Sequence, residues 1–391
     1  MEENISNKDT NKHIVRRKPS LKLLVFLGVF VLLLIANGIL LYFVSKNEKA
    51  AQGADTIIKL SAQGGFECDY AEAQKLYPFD EGVLKVTSDR IAYLTLSGNE
   101  VFSYTVEYQN PFCVVQNGYA AVLDINGYSF SVYSKEGRIL NIATEDKVKS
   151  IAISSSGLCA VIVDKKDAYG QVVVYDNTGK VFGQWISYDS GYPISLCFSD
   201  NSDRLAISVV DTSGATVESS IKLVKILYNN DKYEAENFAE YDLDENVIVM
   251  SLTFTNDSNL YAFSTDCYYV VDPSGNISKT TLDNAVINYN TTVGNRLFVI
   301  YSDGVAQLNK LKILKPDNSS VYDSDLGRTI YAFNTSDDCF VVSVDKRIFI
   351  FDADGRILSD SEVDQEVIRL GLIGKNRIVV VSTNGVHTIN Y

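Results

Sequence analysis

Histidine is almost missing from this sequence. The two present are His13 and His387, and tryptophan occurs once, at Trp185. A nucleophilic site needs a base beside its nucleophile. A Ser/His/Asp or Cys/His arrangement in the bulk of the chain would therefore have to use His387. That residue sits between Val386 and Ile389 in an apolar, alternating stretch, and it reads as a structural or surface histidine. The six cysteines are scattered singly, with no CxxC pair. Zinc sites need clustered ligands, so none is expected. The cysteines lie within or beside apolar stretches such as PFCVV and GLCAVIV and read as buried thiols. Proline is scarce, 6 residues against 24 glycines, so the chain is punctuated by glycine turns.

Positive charge is scarce too, except at the start. Residues 1–22 hold Lys8, Lys12, Arg16, Arg17, Lys18 and Lys22 against Glu2, Glu3 and Asp9, a net +3. The total is −14 and residues 23–44 are uncharged, so the remainder carries −17. A domain that acidic repels phosphate backbones, and nucleic acid is not an expected partner. Anionic lipid surfaces and anionic wall polymers are disfavoured by the same repulsion.

Against these absences stands one long apolar run, Leu23 to Val44 (LLVFLGVFVLLLIANGILLYFV). As a helix it spans about 33 Å, enough to cross a hydrocarbon core of about 30 Å. The upstream cations place the N-terminus in the cytoplasm and the rest of the chain outside. A cleaved signal peptide has a shorter apolar region and a small-x-small site, which Ala50-Ala51 supplies poorly. The expected organisation is a basic cytoplasmic tail (1–22), a transmembrane helix (23–44), a tether (45–55) and an extracytoplasmic domain (56–391) in a cell membrane. The tail is too short for a catalytic domain.

Valine, isoleucine, tyrosine and phenylalanine are abundant after residue 56, which favours strand. A strand, a glycine turn and a second strand recur about every 40 residues: YLTLSGNEVFSY (93–104), SVYSKEGRILNI (131–142), VVYDNTGKVFGQ (173–184), YVVDPSGNISKT (269–280) and IFDADGRILSDS (350–361). Weaker copies are KILYNNDKYEAE (225–236) and KILKPDNSSVYD (312–323). An apolar strand, a polar turn and a β-branched strand precede the later copies, as in SIAISSSGLCAVIV (150–163) and SLCFSDNSDRLAISVV (195–210). Each unit thus holds four short strands. That pattern predicts an all-β fold, a β-propeller of about eight four-stranded blades, with seven as the alternative. The last unit stops at Tyr391 after three strands. The segment 56–70 is the expected donor of the fourth, because an open edge invites aggregation.

The lines FSDNSDRLAISVV and VVVYDNTGKVF resemble repeats of bacterial WD40-like and YVTN-like propellers. The whole layout is similar to a bacterial domain-of-unknown-function family of N-terminally membrane-anchored propellers. The resemblance implies a fold and a location, and no activity.

Motifs for chemistry are weak. Quinoprotein propellers repeat AxDxxTGKxxW. Asp176, Thr178, Gly179, Lys180 and Trp185 approach it once with the wrong spacing, so no cofactor is expected. Asp352-Ala-Asp354-Gly355 opens like a calcium loop but lacks the further oxygens, and it reads as a plain turn. One region departs from the repeat: DKKDAYGQ (164–171), SYDSGYP (187–193) and the insertion DTSGATVESS (211–220) fall in loops of one face. Tyr169, Tyr188, Asp189, Tyr192 and Asp211 are the candidate ligand-binding rim there, suited to a cationic partner. The leading expectation is a non-enzymatic binding or scaffold propeller that engages an envelope protein or polymer. The alternative is a carbohydrate hydrolase or lyase, which requires paired carboxylates in the central funnel.

Overall fold

The computed structural model describes residues 61–391 except 283–285, 303–309, 327–328, 337 and 375. The expected tail, transmembrane helix and tether lie outside the described residues, as do residues 56–60. Among the described residues, no helix is long and apolar enough to cross a membrane.

Among the described residues, thirty-two strands form eight four-stranded antiparallel sheets. Blade one is Leu76–Phe79, Gly82–Val86, Arg90–Thr95 and Glu100–Thr105. Blades two to seven follow in chain order, opening at Pro111–Gln116, Lys147–Ile153, Tyr192–Phe198, Ser251–Phe254, Val286–Val293 and Ile330–Thr335. Blade eight is Val367–Ile373, Arg377–Ser382 and Gly385–Asn390, completed by Ser61–Glu67. These first strands touch one another in sequence round the ring and form its inner wall. The count is eight, and the expected closing strand comes from within 56–70.

The second and third strands read as unbroken apolar runs because both of their faces are covered by neighbouring blades. Cys159–Asp164 and Gly170–Tyr175 are buried along almost their whole length, whereas the outer strand Glu100–Thr105 alternates with solvent. Eight apolar clusters fill the eight blade interfaces. Phe130, Val132, Val161 and Val173 belong to one cluster, between blades two and three, and Ile348, Ile350, Val380 and Ile389 to another, between blades seven and eight.

The glycine turns are closed by the side chain that precedes them. Asp176 Oδ1 accepts from Thr178 N and Lys180 N, both at 2.9 Å, and Gly179 takes φ +86°. Asp272 repeats this with Ser274 N at 2.8 Å and Asn276 N at 2.9 Å. Its hydrogen bonds from the Asn276 side chain and backbone hold the carboxyl below the usual range. Asp352 does the same for Asp354 N and Arg356 N. The recurring aspartates therefore serve backbone donors.

Closure pairs Ser61↔Asn390 through Glu67↔Gly385. Cys68 N then donates to Asn384 O at 3.0 Å, and Asp69 caps the single helical turn Tyr70–Ala73. On the inner wall, Gly371 of blade eight lies against Pro78 of blade one, where a Cβ would stand 2.2 Å from Pro78 Cβ. Arg369 crosses the same junction: Nη1 donates to Gln74 O at 2.9 Å and to Leu76 O at 3.3 Å.

One expectation is corrected. Of the insertion 211–220, Asp211 and residues 218–220 belong to paired strands, with Asp211 paired to Glu218, and the loop is 212–217. Two buried serines explain the extension. Ser208 Oγ donates to Val249 O and Ser219 Oγ to Val247 O, both at 2.6 Å, and together they fasten the connection into blade five.

Candidate functional site

The strand order sends the links between second and third strands, and the links between blades, to one face of the ring. Tyr169, Tyr188, Asp189, Tyr192 and Asp211 all fall there, at the junction of blades three and four. Tyr169 and Tyr192 meet edge to face with ring centroids 4.9 Å apart. Their backbones are held in place: Tyr169 N donates to Ser187 O at 2.8 Å, and Ser187 Oγ donates to Gly191 O at 2.6 Å. Gly191 is at φ +93°, and a Cβ there would lie 2.4 Å from Val210 O, so glycine is needed for the turn that presents Tyr192. Tyr188 is 66% exposed and Tyr192 47%. Asp211 Oδ1 accepts from Ser213 N at 2.8 Å, and this backbone bond keeps its carboxyl below the usual range. The structure thus joins two of the tyrosines directly. Tyr188, Asp189 and Asp211 are placed beside them, without a side-chain bond to the pair.

The central bore has a different chemistry. The eight inner strands contribute Lys147, Lys149 and Arg369 and no carboxylate, although the region they belong to is strongly acidic. At the face opposite the tyrosines the bore opens into a funnel of about 500 Å³. Its wall includes the amides of Gln116, Asn117, Asn256 and Asn334 and the hydroxyls of Thr253 and Thr335. Gln116 and Asn117 are engaged by blade three, through Ile153 N at 3.3 Å and Ile153 O at 2.7 Å. The carboxylates on this wall are Asp80 and Asp200, from turns of blades one and four. Sequence reasoning passed over these amides because asparagine and threonine in a tight turn are explained by the turn itself. Their signal was positional: they lie at the funnel ends of the inner strands of blades two, five and seven.

The other sequence candidates resolve locally. Trp185 sits on the outer strand of blade three with Lys222 Nζ 5.2 Å from its ring centre. His387 Nε2 lies 3.1 Å from Ser382 Oγ and 3.2 Å from Asn384 Oδ1, in the strand that receives the closing strand. Asp354 Oδ1 accepts from Arg296 Nη2 at 3.3 Å. Among the described residues no group of His, Cys, Asp and Glu is gathered closely enough to hold a metal ion.

Five cysteines are buried and Cys68 is partly exposed; all six are free thiols. Burial pushes Cys113, Cys159 and Cys197 up to about 12. Since the thiolate is the nucleophile, thiol labelling at mildly alkaline pH is expected to modify Cys68 first. The buried five should react only on unfolding, and rapid labelling of Cys113, Cys159 or Cys197 in the native state would contradict this. The sign on stability follows. These groups stabilise the fold below the ordinary thiol pKa of about 8.5, and that contribution is lost as pH rises towards 12 and the unfolded chain ionises first.

Closed blades, an acidic ring, inner strands without carboxylates and a tyrosine-bearing loop face define an eight-bladed β-propeller with two separate candidate surfaces. Residues 57–391 match the family of unknown function DUF5711, and the chain belongs to that family. No curated protein sequence matches it. Solved structures do resemble it. BamB from Moraxella catarrhalis is 13% identical, with 85% of this chain and 100% of that one covered at a TM-score of 0.55. Sqt1 from Saccharomyces cerevisiae is 11% identical, with 85% and 99% covered at 0.57. AztD from Citrobacter koseri is 13% identical, with 74% and 86% covered at 0.51. At such identities the likeness is one of fold.

Proposed function

We propose that this chain is a non-enzymatic binding or scaffold propeller, held at the outer face of a cytoplasmic membrane through residues 23–44. It engages an envelope protein by the tyrosine rim of blades three and four. The observation that carries the binding reading is the pairing of Tyr169 with Tyr192 beside the exposed Tyr188, with Asp189 and Asp211 at their edge. Tyrosine supplies contact area at low entropic cost, and flanking carboxylates suit a cationic partner segment. The anchor rests on the apolar run and the basic residues before it.

A carbohydrate hydrolase would need two carboxylates within about 5–10 Å of each other across the substrate. The inner strands supply none, and Asp80 and Asp200 come from blades three positions apart, so that reading has no built pair. The test is capture from membranes of full-length chain carrying a photo-crosslinker at Tyr188. One envelope protein should be trapped by the native rim, and at least about tenfold less by Tyr192→Ala combined with Asp189→Lys, as for loss of interface hot spots. Equal capture by both, or turnover of a glycan by the purified chain, would overturn the proposal.

A further inference from the structure

A second cavity, of about 290 Å³, opens off the funnel between blades seven, eight, one and two and shares Pro78, Val115 and Asn334 with it. Its wall is mixed, with the aromatic and aliphatic side chains of Tyr77, Val115, Tyr331, Phe333 and Ile368 beside Asn334, and it contains one charged group, Arg369. Two of these side chains are placed by bulges. The register slips between Ile330 and Ala332 in blade seven and between Val367 and Arg369 in blade eight. The extra residues are Tyr331 and Ile368. A bulge re-aims a side chain that regular pleating would point elsewhere. Tyr331 is 58% exposed although it lies on an inner strand.

Arg369 is fixed in place. Its Nη1 is bonded to the carbonyls of Gln74 and Leu76, and its guanidinium carbon stands 4.1 Å from the centre of the Tyr77 ring. Those partners are neutral, and no inner strand brings a carboxylate to it. The planar fork keeps further N–H groups for an acceptor. A half-buried guanidinium whose hydrogen-bond partners are neutral carbonyls favours an anion there. One cation among aromatic and aliphatic walls suits a single negative charge on an apolar body, and poorly suits a polyanion, which the acidic exterior also repels.

We propose that this recess binds an apolar monocarboxylate, with its carboxylate on Arg369 and its body against Tyr331, Phe333 and Ile368. This site is distinct from the tyrosine rim and stands or falls apart from it. The carboxylate could belong to a small acid or to the free C-terminus of a peptide with an apolar last residue. The probe is a fluorine-labelled phenylpropionate observed by fluorine NMR with the full-length chain, set against its neutral amide. The acid should bind about tenfold or more tightly than the amide, the scale of one charge-assisted hydrogen-bonded contact. Because Arg369 also ties blade eight to blade one, the decisive variant is at the exposed neighbour. Tyr331→Glu should weaken the acid about tenfold or more through like-charge repulsion, with an unchanged melting temperature. Competition by Ala-Ala-Phe with a free carboxylate, and not by its amide, would identify a peptide terminus as the source. Failure of the tripeptide to compete would identify a small acid. Equal binding of acid and amide, or acid binding undiminished in Tyr331→Glu, overturns the proposal.

Discussion

Deletion of residues 61–67 is expected to leave a chain that aggregates and does not unfold in one cooperative transition. The strand Ser61–Glu67 is the outer strand of blade eight and satisfies the free side of Gly385–Asn390. Without it that strand becomes an open edge, a template for pairing with another chain. Phe66 also leaves the cluster formed by Leu76, Val83, Val379 and Val386. Phe66 is partly buried, so it contributes less than the roughly 1.5–3 kcal/mol of a fully buried phenylalanine, and each strand hydrogen bond adds about 0.5–1.5 kcal/mol. The combined loss is about 5 kcal/mol, the lower end of the whole stability of a typical domain. Light scattering and denaturant unfolding check the result. A monomeric product with an unchanged midpoint would show that the ring closes without this strand.

The second large effect is expected from Gly371→Ala. Gly371 has ordinary backbone angles, so the cost is steric. Its new Cβ would lie 2.2 Å from Pro78 Cβ and 3.6 Å from Pro78 Cα. Real carbon contacts are about 3.5–4.0 Å, and Pro78 sits on an inner strand paired to Val83 with little freedom to retreat. Overpacking of this kind costs about 1–3 kcal/mol, and the strain should reach the upper part of that range because both partners are backbone-fixed. Urea titration should show a lower midpoint with an unchanged slope. Pro78→Ala keeps the clashing Cβ and should recover little in Gly371→Ala, whereas Pro78→Gly, which removes it, should recover part of the loss. No recovery with Pro78→Gly would mean that the clash lies elsewhere.

The fold was legible because its signals repeat. Gly98, Gly137, Gly179, Gly275 and Gly355 all take positive φ between paired strands, and the apolar runs between them are the doubly covered strands. The missing fourth strand of the last blade could be inferred from the cost of an open edge. The length of the blade-four strands could not. It depends on Ser208 and Ser219 reaching carbonyls about 30 to 40 residues away in sequence, and isolated serines in an insertion read as loop. The rim tyrosines were legible as a departure from the repeat, though their edge-to-face contact was not. The recess was illegible for a further reason. Arg369 is one cation in the apolar line VIRLGLI, and the groups that hold it, Gln74, Leu76 and Tyr77, come from the opposite end of the sequence. Bulges, which decide where Tyr331 and Ile368 point, leave no mark in composition.

The closing strand also sets an order in time. Ser61–Glu67 is the first part of the ring to be synthesised, and its partner Gly385–Asn390 is the last. Seven blades can pair their own strands as each emerges, while the first strand has no partner until Gly385–Asn390 arrives. A product cut short at any blade keeps that strand unmatched and its own last sheet uncovered. The joint between the first and last strands therefore works as a check on the ring, distinguishing a finished ring from every shorter one before the domain acquires its stable form.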